Sequence, residues 1–182
     1  MSRIGTRLPT TIVNTLGSDG EIELKYSTEW FKNRKVIFFA VPGALTPTCT
    51  NQLSDFEKNY DKFKEFGIDG LVCCSVNDAF VMKNWFEKLN IKNVEYFPDG
   101  NVIFTHSMGM IAGKQHLGWG DRSWRYAMIV EDGVIKAWFE EPGFNMFGSD
   151  NDPYQETTAE NMLGLLKYLQ ENEQPDVSQL II

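Results

Sequence analysis

The chain has 182 residues, 42% of them hydrophobic, with 17 basic against 25 acidic side chains and a net charge of −8. That length suits one domain with a sizeable core, and the acidic balance argues against nucleic acid or an anionic membrane as main partner. Three cysteines, two of them adjacent, and two histidines make no disulfide framework and too few ligands for a structural zinc site.

The first seven residues carry no apolar core of signal-peptide type, and no apolar run approaches transmembrane length. A cytoplasmic protein is therefore expected. Thr10 to Leu24 reads as a hairpin turned by Gly17-Ser18-Asp19-Gly20, and Ser27 to Asn33 as one or two helical turns. Lys35 to Val41 is a continuous apolar run, the pattern of a central strand covered on both faces, and Pro42-Gly43 ends it. Thr46 then suits a helix N-cap and Pro47 the first helical position. Leu53, Phe56, Tyr60, Phe63 and Phe66 follow at helical spacing, and Gly67 supplies a stop.

Ile68 to Val76 reads as a second buried strand, which would turn Cys73 and Cys74 to opposite faces. Asn77 or Asp78 can cap a helix with Val81, Met82, Trp85, Phe86 and Leu89 on one apolar face. Val94 to Phe97 is a short third strand ending in the turn Pro98-Asp99-Gly100. Tyr126–Glu131 and Val134–Phe139 flank Asp132-Gly133, a hairpin signal, and Thr157-x-x-Glu160 reads as a capping box ahead of Met162, Leu163, Leu165, Leu166 and Leu169. The order of elements predicts an α/β fold, a thioredoxin-like three-layer sandwich with a central mixed sheet. One domain over residues 1–171 and a tail over 172–182 are expected.

Cys49 falls in the first turn of the helix after the apolar strand. Free backbone N–H groups and the positive helix end favour thiolate there, the reactive form of cysteine. A helix end contributes about 0.3–1 kcal/mol, up to about 2 when partly buried, whereas a three-unit fall in pKa needs about 4 kcal/mol. A nearby cation is required. His106 and His116 read as solvated or structural rather than as that cation.

The spacing Pro42-x-x-x-Thr46-x-x-Cys49 resembles the active-site motif of the peroxiredoxins, and the wider run Val41 to Cys49 is similar to their type II or type V branch. Ser75 to Met82, and Arg122 to Met128 followed by Glu131 to Val134, resemble that branch as well. The resemblance implies a thiol peroxidase for hydrogen peroxide and alkyl hydroperoxides, with Cys49 as peroxidatic nucleophile passing through a sulfenic acid. It implies Arg125 as the cation, Thr46 as the hydroxyl that orients the peroxide, and Pro42 as the shield against bulk water. No cofactor or metal is implied.

Some relatives carry a resolving cysteine far downstream, but this chain has none after Cys74. Cys73 aligns with a resolving position of others, while packing in the core is its simpler reading. A one-cysteine cycle reset by an external thiol follows, with glutathione and glutaredoxin first and thioredoxin second. A peroxide sensor or chaperone switched by Cys49 oxidation is the alternative. A disulfide reductase is disfavoured because no Cys-x-x-Cys occurs.

Two further expectations concern surroundings. The family's proline after the cysteine is missing from Cys49 to Phe56, so an unbroken helix is expected in place of a kink. A homodimer is expected by resemblance, with Trp119, Trp124 and Phe80 as candidate contacts and the segment from Glu140 to Tyr154 as a long loop beside the site.

Overall fold

The structure is a computed structural model that describes residues 3–147 and 150–172; the expected tail, from residue 173 on, lies outside them. Strand β1 (Ile12–Leu16) pairs antiparallel with β2 (Ile22–Tyr26), as the turn residues between them predict, and a short 3₁₀ turn covers Ser27–Trp30. The apolar run becomes β3 (Lys35–Val41) and leads into α1 (Pro47–Lys58). A second helix, α2 (Tyr60–Glu65), precedes β4 (Gly70–Ser75), α3 (Ala79–Lys88) and β5 (Val94–Pro98). Asp78 is the cap of α3, accepting from the N–H groups of Phe80 and Val81.

No periodic pattern marks residues 100–123, yet they hold α4 (Ile103–Ser107) and the small pair β6 (Ile111–Gly113) and β7 (Asp121–Ser123). The hairpin β8 (Tyr126–Glu131) and β9 (Val134–Glu140) and the helix α5 (Ala159–Asn172) complete the described chain.

The main sheet has the order β5-β4-β3-β8-β9, with β3, β4 and β5 parallel and β8 and β9 antiparallel to their neighbours. Strand alternation divides the core in two. Ile37, Phe39 and Val41 face α1, α2, α3 and α5, while Val36, Phe38 and Ala40 face α4, the 3₁₀ turn and the β6–β7 pair. The sheet between these layers makes the thioredoxin-like sandwich that the order of elements predicts. On β4, Cys73 joins the first cluster and Cys74 the second.

Two helical expectations are corrected. The helix is continuous across Cys49–Phe56, but the apolar pattern running on to Phe66 is divided at Asn59. There the side-chain Nδ2 donates to the Asp55 carbonyl at 2.9 Å, and the backbone leaves helical geometry at φ −98 and ψ 7. Such side-chain competition for a helix carbonyl is how asparagine ends helices without proline. The break leaves Phe56 and Phe63 stacked, 5.7 Å between centroids.

The cap of the last helix is also displaced by one residue, and it is a single bond rather than a reciprocal box. Helix α5 starts at Ala159, and Thr158 Oγ1 accepts from Asn161 N at 3.2 Å. Thr157 instead turns inward and donates its hydroxyl to Glu141 Oε1 at 2.8 Å, a charge-assisted bond to a buried carboxylate.

Candidate active site

The site forms where β3 ends and α1 begins. Pro42, Gly43 and Ala44 are buried, and Leu45 takes the left-handed φ of 67 to reverse the chain. Asn77 holds this turn: its Oδ1 accepts from Ala44 N at 3.0 Å and from Ser75 Oγ at 2.7 Å. Gly43 packs closely here, since a Cβ there would lie 3.3 Å from Thr46 Cγ2 and 3.5 Å from the Trp119 ring.

Thr46 is the N-cap residue, but its hydroxyl does not cap. It donates to the Gly43 carbonyl at 2.8 Å, which leaves the oxygen lone pairs as an oriented acceptor. Thr48 and Cys49 occupy the second and third helical positions, ahead of the first intrahelical bond from Thr50 N to Thr46 O at 2.9 Å. Their N–H groups therefore point toward the helix start.

Cys49 is 1% exposed and free, packed within the first core cluster. The cation arrives from β8. Pairing of Ala40 with Tyr126 brings Arg125 beside the end of β3. Its Nη1 and Nη2 lie 3.6 and 3.7 Å from Cys49 Sγ. Nη1 also donates to Gln52 Oε1 at 2.8 Å, Nε donates to the Pro153 carbonyl at 2.9 Å, and Nη2 pairs with Asp152. Burial opposes the charge of Arg125, but Cys49 and Asp152 outweigh it and hold the guanidinium above its ordinary pKa. Tyr154 lies across its other side, 5.7 Å from ring centroid to guanidinium carbon, and burial pushes its phenol up.

Arg122 is placed elsewhere. It donates to the carbonyls of Trp119 and Val76, both at 2.9 Å. With Gly43, Leu45, Thr46 and Trp119 it lines a cleft of about 210 Å³ that opens one helical turn from Cys49. His106 and His116 are exposed on α4 and on a 3₁₀ turn.

Cys73 shares a cluster with Cys49, and its thiol is pushed well up by burial and then by the charge of Cys49, with Arg125 opposing. Trp124 is corrected as a contact candidate: it is buried, donates Nε1 to the Glu141 carbonyl at 2.9 Å and packs on Phe144. Leu45, which lines the cleft beside Arg122, and Phe80 are exposed.

Gln52, Asp152, Glu141 and Thr157 were not among the expected site residues. Gln52 is legible as a polar residue one turn after Cys49 on the buried face; the other three lie on the loop after β9, where no local pattern marks Glu141 or Asp152 and the pattern at Thr157 points to a helix cap instead. A groove of about 560 Å³ beneath the N-terminal hairpin, lined by Trp30, Phe86 and Tyr96, contains none of these groups.

The Redoxin family model matches residues 4–161 of the chain. The chain is similar to Peroxiredoxin y4vD of Sinorhizobium fredii, 46% identical over 146 residues that cover 80% of this chain and 77% of that protein. It is also similar to Peroxiredoxin sll1621 of Synechocystis, 40% identical over 185 residues covering 95% and 94%. Among solved structures, reduced Prx3 of Vibrio vulnificus in complex with hydrogen peroxide superposes with a TM-score of 0.81 at 34% identity, covering 91% of this chain and 99% of that one. The Plasmodium falciparum antioxidant protein, a 1-Cys peroxiredoxin, does so with 0.84 at 32% identity, covering 92% and 99%.

Proposed function

The chain belongs to the redoxin family and within it to the peroxiredoxins, which are thiol peroxidases, and from that premise we propose that Cys49 is the peroxidatic nucleophile of a one-cysteine cycle. The observation that carries this reading is the Arg125 guanidinium 3.6 and 3.7 Å from the Cys49 sulfur, with both residues buried. A paired cation is what a buried anionic sulfur needs, because an unpaired charge there costs several kcal/mol, on the order of 3–5.

The thiolate of Cys49 attacks one oxygen of the hydroperoxide, and the O–O bond breaks. The sulfur is oxidised to a sulfenic acid, and the departing oxygen takes a proton to leave as water or alcohol. Arg125 and the N–H groups of Thr48 and Cys49 face the developing negative charge, which is where such donors lower a barrier most. The Thr46 hydroxyl, its proton committed to Gly43, accepts from the peroxide O–H. Buried Pro42 covers the pocket from bulk water.

An external thiol then attacks the sulfenic sulfur, expelling water and forming a mixed disulfide that a second thiol opens. Burial supports this route over Cys73. A thiol with no exposed surface that burial keeps protonated is a poor attacking group. Glutathione with glutaredoxin is the first reductant proposed and thioredoxin the second. A homodimer through Phe80 and Leu45 is part of the same reading, supported by their exposure.

Intact-mass and peptide analysis after one equivalent of peroxide, with and without glutathione, tests the cycle. A glutathione adduct on Cys49 alone is the expected result. A Cys49–Cys73 disulfide overturns the one-cysteine route, and oxidation confined to another sulfur overturns the nucleophile.

A further inference from the structure

The guanidinium that faces Cys49 is not oriented by the sulfur alone. Arg125 Nη1 is shared between Cys49 Sγ and Gln52 Oε1, and Gln52 is fully buried. For Gln52 to accept from Arg125, its amide must present oxygen to the guanidinium and nitrogen away from it. A flipped amide would set N–H against N–H. The amide is held in that sense by Thr157: Gln52 Nε2 donates to the Thr157 carbonyl at 3.1 Å and to Oγ1 at 3.2 Å.

Thr157 Oγ1 accepts from Gln52 because its own proton is directed elsewhere, to Glu141 Oε1 at 2.8 Å. Glu141 is itself buried, and its carboxylate gathers the N–H groups of Gln155, Glu156 and Thr157 at 2.8 to 3.0 Å. An ionised carboxylate only accepts. Donation therefore runs one way, from Arg125 to Gln52, from Gln52 to Thr157, and from Thr157 to Glu141. Arg125 can only donate and the Thr157 carbonyl can only accept, so these two fix the sense of the Gln52 amide; the hydroxyl, aimed by Glu141, adds a second acceptor that seats the amide.

We propose that Glu141 and Thr157 are positioning residues for the peroxidase reaction: through Gln52 they fix the direction of the Arg125 guanidinium at Cys49. The inference rests on the assignment of Cys49 and Arg125 made above. Neither residue touches the reacting atoms. The Thr157 hydroxyl is not needed to hold the loop, since the backbone N–H of Thr157 already bonds the same carboxylate oxygen at 2.8 Å. Its part is directional.

That separation makes the test clean. Thr157→Val keeps the side-chain volume and removes the hydroxyl; Thr157→Ser keeps the hydroxyl and leaves a void where the buried methyl was. A structural role ranks the variants by thermal stability, with Val at least as good as Ser. A positioning role ranks them by hydroxyl. The rate constant for oxidation by hydrogen peroxide, followed by tryptophan fluorescence in rapid mixing, is expected to fall about tenfold to a hundredfold in Thr157→Val. Thr157→Ser is expected to stay within about threefold of wild type, far less than such a misplacement costs. Alkylation of Cys49 by iodoacetamide, which has no departing oxygen to stabilise, falls less than peroxide oxidation in Thr157→Val.

Glu141→Gln supplies an independent variant, because its amide can donate to Thr157 Oγ1 and compete there with Gln52 Nε2; it is expected to slow oxidation alongside Thr157→Val. Wild-type oxidation by Thr157→Val, or rates that follow the melting temperatures, overturns the proposal. If Thr157→Val does not fold, Thr157→Ala against Thr157→Ser decides the same point. Peroxide consumption retained by Cys49→Ser would instead sink the underlying assignment, so the two failures are distinct.

Discussion

Cys49 and Cys73 lie in one apolar cluster, on facing elements, and neither shows the solvent more than 1% of its surface. Burial is the same; the surroundings are not. Cys49 sits in the first turn of α1 with a guanidinium against its sulfur, whereas Cys73 is in the middle of β4, surrounded by apolar side chains and held protonated. Cys74, on the opposite face, is pushed up by burial, with Asp99 and Cys73 adding to it. Under the function proposed above, what stabilises negative charge at the sulfur separates Cys49 from Cys73, since depth alone makes a thiol inert.

The sharpest break of that contrast is Cys49→Ser, which is expected to lower peroxide consumption by about a thousandfold or more in a coupled assay, as loss of a covalent nucleophile does. Arg125→Met is expected to slow oxidation about a hundredfold to a thousandfold, the range for removing a donor aimed at developing charge. Arg122→Met, which loses bonds to the carbonyls of Trp119 and Val76 and a contact on the Trp119 ring, should cost less than about tenfold, well below that range; equal effects in rapid-mixing measurements would mean that the contact at sulfur is not what matters. Cys73→Ala sharpens the comparison from the other side. Turnover with glutathione should stay within about twofold, while denaturant unfolding shows a loss of about 1–2 kcal/mol for the void in the core.

The smallest effect concerns the rim that holds Arg125. Asp152 N donates to Asp150 Oδ1 at 2.8 Å, and Asp150 pairs with buried Lys114. Burial opposes ionisation of Asp150, but the Lys114 hydrogen bond outweighs it, so its folded pKa lies below the ordinary carboxylate value. A depressed folded pKa stabilises fully above the unfolded value and loses that contribution as pH falls through the folded one. Asp150→Asn should thus melt below wild type at neutral pH, with the gap closing on acidification below about pH 4. A constant gap across that range in calorimetric scans would remove the pair from the account.

Much of this architecture is legible in one dimension because it depends on neighbours in the chain. The strand over Lys35–Val41 ends where Pro42-Gly43 says it should, and the Asp132-Gly133 hairpin joins β8 and β9 in place. What escapes is where a side chain has a distant competitor. The hydroxyl of Thr157 goes to Glu141 rather than to the helix start, Trp124 spends its indole N–H on Glu141 rather than on a partner surface, and Asn59 turns its amide back on Asp55. The small elements between residues 100 and 123 have no period long enough to read and exist by packing on the sheet.

The amino-acid order by itself determined where Cys49 stands, since an apolar strand, a Pro-Gly stop and a Thr-Pro helix start are all local, and together they leave it at a strand–helix junction. The folded molecule alone decided its company. Whether Arg122 or Arg125 meets the sulfur depends on β8 lying beside β3 with Tyr126 opposite Ala40, and the loop after β9 brings Glu141, Asp152 and Thr157 around that arginine. Register between strands far apart in sequence is set by how both faces of the sheet pack, and no window of consecutive residues contains that information.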